Sequence, residues 1–140
     1  MIAACVIDAS VAIKWVITEE GTEAANHLRW SGTAFHAPDL IVPETGNILW
    51  KKIQRAELTR AEAELACGIL RLAKIELHAM GPQALLALQM AAELQHPVYD
   101  TTYLALARAL DMPMVTADRR LANKLAAVRN SAFPELVLLS

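Results

Sequence analysis

The sequence predicts a three-layer α/β/α fold around a central, mainly parallel sheet, and three observations carry that expectation. Residues 2–7, Ile-Ala-Ala-Cys-Val-Ile, are an unbroken apolar run, as a strand buried on both faces requires. Short strand-like segments then alternate with helix-like ones along the rest of the chain, the order produced by crossover helices between parallel strands. Pro- or Gly-marked turns punctuate the alternation, with no repeat, linker or low-complexity stretch, so residues 1–140 are expected to form a single domain able to bury its own core.

Beyond the first strand, residues 10–16 read as a short helix. Residues 20–30 read as another, with Thr18 as its candidate N-cap and Gly32 ending it. Residues 33–37 form a brief strand, and Pro38-Asp39 starts a helix running to about residue 55. Thr59 and Glu62 have capping-box spacing and begin a helix to about residue 74. Residues 75–78 alternate like a strand, and Gly81-Pro82 opens a helix to about residue 95, broken by His96-Pro97. Residues 99–110 are helical, 114–115 a strand, 118–126 a helix and 136–139 a last strand.

The composition, 55% apolar and 20% charged, suits a globular protein and excludes disorder. No apolar run approaches a membrane span, and Asp8 and Lys14 interrupt the N-terminal segment where a signal peptide needs apolar residues. Cys5 and Cys67 lie in apolar elements without CxxC spacing and read as reduced core residues; a cytoplasmic protein without a membrane partner is expected. Net charge is −2, yet setting aside four acids discussed next leaves +2, so contact with nucleic acid should be modest and salt-sensitive.

Those acids are Asp8, Glu44, Asp100 and Asp118. Asp8 closes the first strand and Asp118 follows the strand at 114–115, while Glu44 and Asp100 sit in the first turns of largely apolar helices. Each alone has a structural explanation as a helix cap or a dipole partner. Together they lie at strand ends and early helix turns, which meet at the carboxyl edge of an open parallel sheet. Carboxylates gathered there repel, and a divalent cation removes that repulsion. Hard oxygen ligands favour Mg²⁺ or Mn²⁺ over Zn²⁺. Ser10, Thr116 and Asn47 are placed to support them, although local backbone hydrogen bonds explain the two hydroxyls equally well. Lys51, Arg119 and Arg120 are candidate contacts to RNA phosphates, with solvated surface charge as the plainer reading. His27, His36, His78 and His96 show no metal-ligand spacing and read as structural or surface residues. Trp15, Trp30 and Trp50 read as core by default, with an interface role as the alternative.

The blocks Val6-Ile-Asp-Ala-Ser10, Ala37-Pro-Asp-Leu-Ile-Val-Pro-Glu44 with Asn47-Ile-Leu-Trp50, Tyr99-Asp-Thr-Thr-Tyr-Leu-Ala-Leu-Ala107 and Val115-Thr-Ala-Asp-Arg-Arg-Leu121 together carry a family likeness. The chain resembles PIN-domain ribonucleases, specifically the VapC toxins of toxin–antitoxin pairs, nearly end to end. The resemblance implies a PIN-like domain and a Mg²⁺- or Mn²⁺-dependent endoribonuclease. It makes Asp8, Glu44 and Asp100 the core metal ligands and Asp118 a more variable fourth, with Ser10 and Thr116 assisting. It also implies an RNA substrate, a homodimer and a cognate VapB-type antitoxin. Thr45-Gly46 departs from the aliphatic residues usual in the family. The alternative is a catalytically silent module of the same fold that binds RNA or a protein partner. A phosphatase is weaker still, because Ser10 stands where a second acid is needed and no Gly-rich phosphate loop is present.

Overall fold

The computed structural model describes residues 2–128 and 132–139. Five strands form one sheet: β1 (Ala4–Ile7), β2 (Ala34–Pro38), β3 (Ile75–His78), β4 (Met114–Thr116) and β5 (Leu136–Leu138). All pair in parallel, in the spatial order β3-β2-β1-β4-β5. Cys5, Val6 and Ile7 of the central strand are fully buried, which is why that segment carries no polar alternation.

The topology positions the site. From β1 the chain winds outward through β2 to β3, then crosses back to β4 on the other side of β1. Winding direction reverses between β1 and β4, and the crevice where ligands gather in open α/β sheets opens beyond such a pair of strand ends. Right-handed crossovers place the connecting helices of the two halves on opposite faces. One layer comprises α1 (Ala9–Ala12), prolonged by a 3₁₀ turn at Ile13–Trp15, with α2 (Thr22–Arg29), α3 (Ile41–Gln54) and α4 (Arg60–Leu72). In it α1 packs on α3, α3 on α4, and α2 on the 3₁₀ turn. The other layer comprises α5 (Ala84–Leu94), preceded by a 3₁₀ turn at Gly81–Gln83, with α6 (Val98–Leu110) and α7 (Arg119–Val128). There α6 lies across β1, β2 and β4, packed by α5, while α7 touches α5 and β5.

Burial is deepest at α6, where every residue from Thr101 to Ala107 is buried, including two threonines and a tyrosine. A helix buried on all sides must satisfy its polar side chains internally. Thr101 does so by donating to the Ala87 carbonyl at 2.7 Å, which ties α6 to α5. In the other layer Trp15 packs edge-on against Phe35 with centroids 5.0 Å apart, and its indole N–H donates to the Ala25 carbonyl at 2.9 Å. That bond locks α2 to the 3₁₀ turn.

Most expected elements are present with ends moved by one to three residues. The capping box forms as expected, Thr59 Oγ1 accepting from Glu62 N and Glu62 Oε1 from Thr59 N. Thr18 is not the cap of α2. Gly21, in a left-handed conformation at φ 86°, turns the chain, and the helix begins only at Thr22. The Thr22 hydroxyl instead accepts from Glu19 N at 2.8 Å and closes the loop. Three apolar expectations also fail. Cys67 is exposed on α4, whereas Cys5 is buried and its thiol pushed up to about 12 by burial. Trp30 and Trp50 are 75% and 54% exposed, leaving Trp15 as the one core tryptophan.

Replacing the Thr101 hydroxyl by a methyl group, Thr101→Val, keeps the shape of α6 but removes its bond to α5. We expect about 1 kcal/mol less stability by urea unfolding. Unchanged stability would mean that apolar packing alone sets the position of α6.

Candidate active site

Asp8 leaves β1 with an extended backbone and caps α1, its Oδ1 accepting from Val11 N at 3.3 Å. Its carboxylate is buried, and both oxygens are held by hydroxyls. Ser10 Oγ donates to Oδ1 and Thr116 Oγ1 to Oδ2, each at 2.5 Å. Each hydroxyl is oriented in turn, because Ser10 Oγ accepts from Ala117 N at 2.9 Å and Thr116 Oγ1 from Asp118 N at 3.0 Å. This chain of bonds joins the start of α1 to the end of β4 across the switch point. Burial dominates the electrostatics and pushes the Asp8 carboxyl from 3.8 up to about 6. The donors from Ser10, Thr116 and Val11 oppose that rise, and the charge of Asp100 adds to it.

Glu44 reaches in from α3 and accepts from the Tyr103 hydroxyl at 2.5 Å. Burial again raises its carboxyl, Tyr103 lowers it, and Asp100 raises it. Tyr103 stands three residues after Asp100, on the same face of α6. Its phenol is held strongly in the protonated form, first by burial, then by its bond to Glu44 and the charges of Glu44, Asp8 and Asp100. Tyr103 therefore keeps its proton and donates a hydrogen bond to Glu44.

Asp100, in the first turn of α6, is bonded through Oδ2 to Nε2 of His96. Lys124 on α7 approaches Nδ1 of the same ring at 3.1 Å and donates to the Gln95 carbonyl at 2.9 Å. An ammonium can only donate, so Nδ1 accepts, and the ring proton sits on Nε2 and points at Asp100. Lys124 thereby fixes the His96 tautomer. His96 shows no metal-ligand spacing in the sequence, and the structure gives it partners in Asp100 and Lys124.

Mutual repulsion links Asp8, Glu44 and Asp100 into one electrostatic unit. Asp118 plays a different part. Its Oδ1 accepts from Arg120 N at 2.9 Å and Leu121 N at 3.3 Å, so its carboxylate caps α7, while its backbone N–H serves Thr116. Asn47 is exposed on α3, and Arg119 and Arg120 are exposed on the first turn of α7. Lys51 lines a cleft of about 300 Å³ with Lys14, Lys52, Arg55 and Ser10. The sequence reading named only Lys51 among those cations. Glu19 also lines the cleft and pairs with Lys14 at 3.0 Å and Lys52 at 3.8 Å.

The donor set of Asp8, Glu44 and Asp100 fits a hard divalent cation: three carboxylates, with Asp100 repelling the other two and burial raising the carboxyls of Asp8 and Glu44. No three of the site acids bring ligand atoms within 4.8 Å of one another among the described residues. Mg²⁺ held there would keep waters between itself and part of its protein shell.

A metal-free Asp8 has a consequence for stability. Between pH 3.8 and about 6 the folded chain holds a proton that the unfolded chain releases. The contribution of Asp8 is thus fullest below pH 3.8 and is lost as pH rises through 6, on the order of 3 kcal/mol by neutral pH. Asp8→Asn keeps Oδ1 for Ser10 and Val11 and lets the Thr116 hydroxyl turn to accept. In chelator it should flatten this limb of the pH–stability curve and equal or exceed the native chain at pH 7. A marked loss of stability at pH 7 would make Asp8 a structural cap.

The family model described as PIN domain matches residues 5–126. Ribonuclease VapC3 of Pyrobaculum aerophilum is 32% identical over 129 residues, covering 88% of this chain and 95% of that protein. Among solved structures, PAE2754 from Pyrobaculum aerophilum superposes with a TM-score of 0.65 at 25% identity, covering 86% of each chain. VapBC2 from Rickettsia felis, solved with a DNA fragment from its promoter, gives a TM-score of 0.66 at 9% identity over 98% of this chain and 99% of that one, a likeness of fold.

Proposed function

The chain belongs to the PIN-domain family, and on that premise we propose that it is a metal-dependent endoribonuclease, the toxin of a VapBC-type toxin–antitoxin pair. The observation that carries the reading is the grouping of three acids around Tyr103 near the switch point of the sheet: Glu44 accepts from its hydroxyl, and the charges of Asp8 and Asp100 also act on it. Ribonuclease VapC3, similar along nearly its whole length, supports the same reaction class.

In this reading Asp8, Glu44 and Asp100 hold Mg²⁺ or Mn²⁺, with Asp118 as an accessory acid. The bound ion supplies Lewis-acid polarisation of a phosphodiester and a water more easily deprotonated at neutral pH. The chain supplies position. Ser10 and Thr116 pin both Asp8 oxygens, Tyr103 occupies one Glu44 oxygen and leaves the other open, and His96 holds one oxygen of Asp100. With each carboxylate so fixed, little reorganisation is needed when the substrate arrives. Lys51 and Arg55, in the cleft that Ser10 also lines, are suited to contact the RNA backbone. Arg119 and Arg120, exposed on the first turn of α7, are further candidate contacts to RNA phosphates.

A VapB-type antitoxin, a homodimer and a cytoplasmic setting belong to the proposal. No helix among the described residues is long and apolar enough to cross a membrane. Exposed Trp50, Val98 and Tyr99 lie near Glu44 and Asp100 in sequence and offer apolar area for a protein partner to cover.

Purified native protein and Asp100→Asn, each given total cellular RNA with Mg²⁺, Mn²⁺ or EDTA, separate the alternatives. Discrete fragments from the native protein alone, abolished by EDTA, are expected, with at least ~100-fold slower cleavage by the variant, on the scale of losing one transition-state charge contact. No cleavage by folded, antitoxin-free native protein would favour the silent binding module.

A further inference from the structure

On the face of the sheet that α6 covers, at the edge farthest from β5, three side chains form a second potential metal centre that the acid site does not use. His36 lies on β2, directly across from Glu76 on β3, and His78 follows two residues on. A strand turns alternate residues to one face, so 76 and 78 share a face, and the register brings His36 to it. The opposite face of β3, with Ile75 and Leu77, lines an apolar groove against Ile41 and Leu70. His36 Nδ1 stands 2.9 Å from His78 Nε2 and 3.3 Å from Glu76 Oε2. All three ligand atoms lie within 4.8 Å of one another, the one such group of His, Cys, Asp and Glu among the described residues.

From this geometry we propose that His36, His78 and Glu76 form a Zn²⁺ site that staples the edge strand β3 to β2. Ligand atoms 2.0–2.2 Å from a tetrahedral ion stand about 3.3–3.5 Å apart. The nitrogen–oxygen spacing already meets that value, and the two nitrogens need to part by only about 0.4 Å. Two imidazoles and one carboxylate suit Zn²⁺ and are poor ligands for Mg²⁺, so this centre and the all-carboxylate site select different ions. Neither histidine is deeply sealed, and the Glu76 side chain is 68% exposed, so the ion can enter from solvent and keep a water in the fourth position. The structural consequence falls on β3. It is a four-residue edge strand with Leu77 41% exposed, held on one side only. A bond through metal to β2 would stabilise an edge otherwise held by a single ladder.

The test titrates Zn²⁺ into the full chain in excess Mg²⁺, which keeps the carboxylate site occupied by its own ion. Calorimetry reads the stoichiometry, melting temperature reads the effect on stability, and Co²⁺ substituted for Zn²⁺ reads the ligand field through its visible absorption. One Zn²⁺ per chain, a higher melting temperature and tetrahedral Co²⁺ bands are expected. Affinity should fall more than about 100-fold in His78→Ala, beyond what is lost when only a ligand's supporting partner is removed. Glu76→Gln, on an exposed side chain that folding does not need, should also weaken binding. Undiminished binding in both variants, loss of Zn²⁺ binding in Asp8→Asn instead, or no binding by the native chain would overturn the proposal.

Discussion

Burial of the Asp8 carboxylate is the constraint on which the rest of the site depends. Placing an ionised carboxylate in a protein interior costs several kcal/mol unless other groups compensate. Here the compensation is incomplete. Two hydroxyls and a backbone N–H reach its oxygens, yet burial still raises its carboxyl to about 6, with Asp100 adding to the rise. Those hydroxyls come from opposite sides of the switch point, Ser10 beyond β1 and Thr116 at the end of β4. The bonds that hold the acid thus also hold the crevice in register. A sheet wound in one direction throughout would have no such reversal at which to set it.

Around Asp8 the helices supply the remaining charge and its restraint. Asp100 and Tyr103 share one face of α6, so the same helix delivers a carboxylate and the donor that steadies its neighbour Glu44. Because Tyr103 cannot readily lose its proton, Glu44 always meets a donor there. On the other flank the Lys124–His96 pair holds Asp100, with the ring tautomer set by an ammonium that can only donate. The result is a rigid acidic centre in a chain whose overall charge is only −2, beside a cleft carrying Lys14, Lys51, Lys52 and Arg55. A negative centre with a positive margin suits a cation at the first and a phosphate chain along the second.

Much of this was legible in the sequence, for reasons that also explain what was not. The unbroken run ending at Ile7 and the strand–helix alternation report burial and connectivity, and both are local. Parallel connectivity then places Asp8, Glu44 and Asp100 near one edge of the sheet without any knowledge of register. Tyr103 escaped notice because a tyrosine in an apolar helix looks like packing, and only the position of α3 shows what its hydroxyl meets. His96, beside Pro97, looked like a helix break; its partner on α7 lies 28 residues away. The same limit applies to His36 and His78, 42 residues apart and joined only by the register of β2 with β3. Trp30, Trp50 and Cys67 erred in the other direction, because apolar character does not fix which side of a helix faces the core.

The central claim is that Asp8 sits in a strained acidic cluster built for a divalent ion. The most direct measurement is the rise in melting temperature on adding Mg²⁺, compared between the native chain and Asp8→Asn at neutral pH. Binding to the folded state alone raises stability, by an amount that grows with the logarithm of the affinity. A clear rise in the native chain, much reduced in the variant, is what this account predicts. Equal shifts in the two proteins would contradict it, because the ion would then owe nothing to Asp8.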